Sequence, residues 1–279
     1  AKVKLINGLE LMGNPNLQYV DDNKELQPDV NAISRLVGEL VTVSSYTTGQ
    51  ISLSKLGSSG AAGELDLSKL TLGTASLSPA VKIFERVGTG SVEQISLSDL
   101  TQTKISASKV VYARKDYAGR VDLLVLNDVT GDRYEYGILM EKLIPETDWN
   151  GKAFNNRAVY IMNRENQTDS EAIVTGQAIT KNAPGGIAVS ADGKKLEAVV
   201  TLTEVKNVSR TAFYTVGGKT YLHLSNMDIM VADKPECYNK LTNTWFEGLA
   251  DARAFADTLT VYYDRAPAEG GKIRMVVAG

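Results

Sequence analysis

With a single cysteine, Cys237, the 279-residue chain can form no intramolecular disulfide and no thiolate zinc cluster. A single histidine, His223, likewise excludes multi-histidine zinc sites and the motif of two histidines four apart on a helix. Long apolar runs are missing too: none approaches the ~18 residues that a membrane helix needs. Positive charge is not in excess, because 30 Lys+Arg stand against 33 Asp+Glu, for a net charge of −3. A general binder of nucleic acid or of anionic membranes needs surplus Lys and Arg to release counterions, so both classes are disfavoured. What remains is ordinary globular composition, 43% hydrophobic and 23% charged, which excludes disorder and collagen-like structure. The length fits two domains or one large β domain, and either buries a substantial core.

The chain opens on Ala1-Lys2-Val3-Lys4 without an initiator methionine or signal-peptide pattern. It is therefore expected to be a mature fragment, with any targeting or anchoring segment outside it. One cysteine is compatible with the cytosol and equally with a Gram-positive cell surface, so cysteine usage leaves the compartment open.

Strand grammar dominates. Val3 to Leu11 alternates on both sides of Asn7-Gly8, the dipeptide whose tolerance of positive φ makes it a strong hairpin signal. Alternation recurs at 40–46, 80–84, 109–112, 121–126 and 134–140, with Gly131-Asp132, Asp192-Gly193 and Gly217-Gly218 as turns. Residues 188–190 and 196–205 read as one long hairpin, and Phe213-Tyr214 with 221–224 as another. Helix signals are few: 29–37, which puts Val30, Ile33, Leu36 and Val37 on one face, and the Ala- and Arg-rich 249–255. Short strands between Gly, Asn and Asp turns predict a mainly β chain of small barrels or sandwiches.

An internal duplication organises the pattern. Val111-Tyr112-Ala113-Arg114 matches Val261-Tyr262-Tyr263-Asp264 at an offset of 150, and 119–125 matches 271–277 at an offset of 152. Upstream, 99–105 faces 248–255 with similar spacing to the strand. Two related β-rich modules are expected, 1–147 and 148–279, with a linker near 144–151.

Several segments resemble a known family. Glu236 to Lys240, Thr244-Trp245-Phe246, Ala252 to Phe255, Leu259 to Arg265, Ser190 to Leu196 and Val125 to Asp132 are similar to the β-rich repeat regions of secreted bacterial envelope proteins that carry S-layer homology domains, found in Gram-positive gut anaerobes. The S-layer homology motifs themselves are absent from this chain, so cell-wall anchoring does not transfer to its residues. The resemblance implies an extracellular location, secreted or at the cell surface, and a role as scaffold or spacer, with cell-wall polysaccharide or other envelope proteins as partners. It implies no reaction.

Candidate chemistry is sparse. His223 sits on an alternating strand, and no Gly-x-Ser-x-Gly nucleophile elbow accompanies it, so it reads as structural. Cys237 has no CxxC partner or nearby second histidine to lower its pKa, and reads as a packed thiol. Thirty-three acids allow carboxylate pairs for glycoside hydrolysis, the least favoured reading. Trp149, Trp245 and Tyr238 are the candidate stacking platforms for a polysaccharide- or peptidoglycan-binding alternative. No cofactor is expected, apart from weak calcium candidates at two acidic turns, 21–25 and Asn127-Asp128 with Asp132. The first has Leu26 where a calcium loop needs glycine. Gly88-Thr89-Gly90 lacks the Gly-Lys-Ser/Thr ending of a phosphate cradle.

Overall fold

The computed structural model describes residues 2–4, 10–12, 18–20, 26–27, 36, 38–45, 51–56, 61–163, 171–173, 182–191, 193 and 195–279. The chain is mainly β, with one α-helix, Leu249–Phe255, and four short 3-10 turns among these residues. Strand is present at each expected position within them, although the expected strand 196–205 is two strands. The expected helix over 29–37, apart from Leu36, which is in a turn, and the Asn7-Gly8 turn lie outside them, although Lys2–Lys4 does pair with Glu10–Met12 in the antiparallel register of a hairpin. A four-stranded sheet in the order Leu26–Gln27, Gln18–Val20, Ile51–Lys55, Val41–Ser45 follows.

Two seven-stranded sheets carry most of the core, and they share a connectivity. In the first, Leu65–Asp66, Thr71–Leu72 and Ala75–Arg86 run antiparallel in succession. Val121–Asn127 then lies parallel to Ala75–Arg86, and Val110–Lys115 lies antiparallel outside it. In the second, Phe213–Val216, Lys219–Leu224 and Met227–Asn239 are followed in space by Lys272–Ala278, again parallel, and by Thr258–Tyr263. A short side strand flanks the long strand in each, Glu93–Ile95 in one and Thr244–Trp245 in the other.

The registers coincide in detail. Between Leu77 and Lys82 the first long strand advances five residues while its partner moves only from Val121 to Leu123. The second does the same, from Val231 to Glu236 against Ile273 to Met275. Both interruptions contain a proline, Pro79 or Pro235, which cannot donate to a ladder and is tolerated where pairing lapses. Superposing the registers equates Leu77, Ile83, Ala113, Val121, Leu124 and Leu126 with Val231, Cys237, Val261, Ile273, Val276 and Ala278. All twelve are buried core positions. The final strands keep the offset of 152, but Val110–Lys115 corresponds to Thr258–Tyr263 at 148 rather than 150. Residues 99–105 hold only the last residue of a 3-10 turn, Leu97–Asp99, and a two-residue strand, Lys104–Ile105, not a counterpart of the helix.

An antiparallel five-stranded sheet lies between them in the chain, in the order Glu171–Ile173, Ala153–Asn163, Glu135–Thr147, Ala183–Val189, Leu196–Thr201. The expected linker at 144–151 is instead the far end of a hairpin. Ile144, Pro145 and Glu146 pair with Arg157, Asn156 and Asn155, and the Asp148 carboxylate accepts from the amides of Asn150 and Lys152 to close the turn. Pro145 is accommodated because Ala183–Val189 reaches only as far as Leu139, which leaves one side of the strand unpaired there among the described residues. The expected long strand 196–205 also divides. It breaks at Leu202, and Thr203–Ser209 pairs with Thr258–Tyr263, so the chain passes from the five-stranded sheet into the second seven-stranded one. A third apolar cluster, with Tyr134, Tyr136, Ala188, Leu202, Met275 and Val277, joins those two sheets.

Candidate functional site

The densest polar structure in the chain forms where the strand Val121–Asn127 ends. Asp128 and Gly131 take positive φ, 52° and 72°, and turn the chain away from the first sheet. The turn is fixed from below by Glu85, a fully buried carboxylate on the long strand. It accepts from the amides of Val129 (2.5 Å) and Thr130 (2.7 Å) and from the Thr130 hydroxyl (2.5 Å). Buried polar groups need such partners, and here they commit 128–131 to one path.

That path grips the turn between Thr258–Tyr263 and Lys272–Ala278 of the second sheet. Arg274 is 3% exposed, and its side chain reaches three groups: Asp132 Oδ1 (2.5 Å), the Thr130 carbonyl (2.6 Å) and Asp264 Oδ2 (2.9 Å). Its guanidinium carbon lies 4.9 Å from the centre of the Tyr136 ring. The other Asp264 oxygen accepts from the backbone amides of Lys272 (2.8 Å) and Arg265 (3.0 Å). Lys272 Nζ meets Asp132 Oδ2 at 2.6 Å, and Arg265 meets Asp128 at 2.7 Å. Lys109 closes on the same Asp128 from the first sheet at 3.0 Å. Gln102 donates to the carbonyls of Val129 (2.7 Å) and Glu269 (3.3 Å), one from each sheet's end.

Electrostatics follow from this packing. Burial pushes the Asp132 carboxyl up, but the Arg274 charge and hydrogen bonds from Arg274 and Lys272 outweigh it and hold the group below its ordinary value. Burial alone lowers Arg265 and Arg274. The facing carboxylates and Tyr136 reverse this and raise both. Burial raises the Tyr136 hydroxyl, which stays protonated and spans Gly131 O (2.8 Å) and Asp264 Oδ2 (3.2 Å). Asp128, Asp132 and Asp264 are each matched by a guanidinium or ammonium of the chain, while Glu85 is met by amide and hydroxyl donors. The arrangement is that of a clasp between the two sheets.

The acidic turn considered for calcium is thus part of the clasp, since Arg265, Lys109, Lys272 and Arg274 hold Asp128 and Asp132. Among the described residues no group of three or more His, Cys, Asp or Glu is placed to hold a metal. The other acidic candidate, 21–25, lies outside them. A cavity of about 280 Å³ adjoins the clasp, lined by Val87, Ser91, Asp132, Arg133, Glu135 and Val189. Of its charged residues, Arg133 pairs with Glu93, although its Nε is buried without a hydrogen-bond partner, and Asp132 is held by the clasp.

The three aromatic candidates separate. Tyr238 and Trp245 are cross-strand partners, ring centres 4.8 Å apart, partly buried against the third apolar cluster. Trp149 stands alone at the hairpin tip, 93% exposed. A further pair went unnoticed in the sequence: Tyr214 and Tyr221, stacked at 5.6 Å on the hairpin that turns at Gly217-Gly218. His223 is exposed and sits 2.8 Å from Asp228, its cross-strand neighbour. Cys237 occupies the buried position equivalent to Ile83. The clasp residues Arg274, Asp264 and Tyr136 were also missed. Their one sequence signal is an arginine inside Lys272–Ala278, an otherwise largely apolar strand in which all seven residues are buried, because a buried arginine requires partners.

No helix among the described residues is long and apolar enough to cross a membrane. Comparison of the sequence and structure with protein-family models, characterised proteins and solved structures returned no match.

Proposed function

We propose that this chain is a non-enzymatic spacer or scaffold of a bacterial cell envelope, located outside the cell. It comprises two related β modules joined end to end through the clasp, with the five-stranded sheet packed beside the joint. One observation carries the reading. The turn at the end of the first sheet is bound to the second by ion pairs to the buried or half-buried cations Arg265, Lys272 and Arg274, where a flexible linker would leave independent modules. Rigid end-to-end joining converts two small domains into a unit of fixed reach. The resemblance to envelope repeat regions supports the compartment.

Mild protease treatment of intact producing cells tests this. Release of peptides from this chain while cytosolic markers stay intact is the expected result, and retention of the chain with the cytosolic markers would overturn it. Trp149, exposed at a hairpin tip, favours a second reading, attachment to wall polysaccharide. Saturable co-sedimentation with isolated Gram-positive cell walls, competed by soluble glycan and abolished by Trp149→Ala, would establish that reading. Turnover on a broad glycan and peptide panel would establish an enzyme instead.

A further inference from the structure

We propose that the second seven-stranded sheet is a tension clamp, built so that a pull along the chain loads its hydrogen-bond ladders in shear. The purpose rests on the spacer reading, while the geometry does not. Thr203–Ser209 pairs antiparallel with Thr258–Tyr263, which pairs antiparallel with Lys272–Ala278. The first and last of these strands therefore point the same way. Thr203 is level with Tyr263 and Ile273 at one end of the sheet, and Ser209 is level with Thr258 and close to Ala278 at the other.

Tension entering at Thr203 and leaving past Ala278 consequently pulls two strands along their own axes in opposite directions. Six residues of rise span ~20 Å and two strand spacings ~10 Å, so the pulling line lies within about 30° of the strands. In that geometry a whole ladder must yield together, whereas a pull applied at one end of two neighbouring strands opens it one pair at a time. Lys272–Ala278 is doubly held. Besides its antiparallel partner it lies parallel to Met227–Asn239, and all seven of its residues are buried.

The clasp sits at the end where tension enters. Asp264, Lys272 and Arg274 lie beside the Tyr263–Ile273 level, so Thr203 and the first module are attached to the same end of the sheet. Ala278 lies at the far end. Upstream load is thereby delivered to the sheet by the covalent chain and the clasp together.

Single-molecule pulling on the full chain tests the proposal, with one handle at the C-terminus and the other on a cysteine introduced by Thr201→Cys or by Ser209→Cys. Both positions are exposed; Thr201 lies two residues before the strand Thr203–Ser209, and Ser209 is that strand's other end. At equal loading rate, the force for opening the second sheet from 201 is expected to exceed that from 209 by about twofold or more, because forced opening follows the height of the barrier along the pulled direction. Equal forces from the two positions would overturn the clamp. Should Ser209→Cys fail to fold, Thr211→Cys, exposed just beyond the strand, provides the same geometry. The force ratio is independent of where the chain resides, so its failure is distinguishable from failure of the surface-release experiment.

Discussion

Replacing Arg274 with methionine keeps the bulk of a buried side chain but removes every polar contact that its guanidinium makes. Asp264, whose side chain is fully buried, then loses its main counter-charge, and the Thr130 carbonyl and Asp132 lose a donor each. Breaking one partner out of a buried ion pair costs about 3–5 kcal/mol, because the remaining charge stays buried. The two amides on Asp264 and the more distant Arg265 (3.7 Å) soften the loss, so the lower part of that range is expected. Urea unfolding followed by tryptophan fluorescence reads it, since Trp245 packs in the cluster that contains Tyr136. With a slope near 3 kcal/mol per molar urea, the midpoint should fall by about 1 M. Removing both charges, in Arg274→Met with Asp264→Leu, should recover much of the loss, as apolar replacement of whole buried pairs often does. A midpoint for Arg274→Met that stays within about 0.2 M of the unaltered chain, or about 0.5 kcal/mol, would refute the reasoning.

Acid should loosen the same joint. Asp132 is held below its ordinary value when folded, so its contribution is complete above the unfolded carboxylate pKa and is lost as pH falls through the folded one. The difference in stability between the unaltered chain and Asp132→Asn should therefore shrink as pH drops below about 4, and a difference that is constant across that range contradicts the assignment. Gly131→Ala adds a methyl at φ 72°, pointed at Asp264 Oδ2 and Arg274 Nη2, and should cost more than about 1 kcal/mol by thermal unfolding. Trp149→Ala, at an exposed tip, should change stability by less than about 0.5 kcal/mol. Cys237→Ala opens space at a core position and should cost about 1–2 kcal/mol, and in the native chain Cys237 should react with a maleimide only as the sheet opens.

Strand positions were legible because alternation with a period of two is written directly in the residues, and turns such as Gly217-Gly218 take the positive φ that the sequence requires, 58° and 78°. The same period limits what alternation can say. A slip of two residues leaves every side chain on its own face, so sequence matching placed Val111 against Val261, while the ladder with Val121–Asn127 equates Ala113 with Val261. The extra length of the second copy is therefore confined to its turn, 264–271, which supplies Asp264 and Arg265 to the clasp. Pro145 and Gly151 resemble linker punctuation, yet one occupies a half-paired strand and the other a hairpin turn at φ 80°. The clasp itself was hidden because its members lie more than a hundred residues apart, and only the fold brings Asp132 to Arg274. Trp149 and Trp245 read alike in sequence, but cross-strand pairing with Tyr238 partly buries Trp245, while Trp149 stands in solvent at a hairpin tip.

Rigid joining of the two modules is tested most directly by the distance between spin labels at Tyr117→Cys and Leu241→Cys, with Cys237 exchanged for valine. Both sites are exposed, one in the turn 116–120 of the first sheet and the other beyond the far end of the second. A single narrow distance distribution is predicted for the full chain, broadening when Arg274→Met and Asp132→Asn open the clasp. A broad distribution with the clasp intact would contradict a spacer of fixed reach.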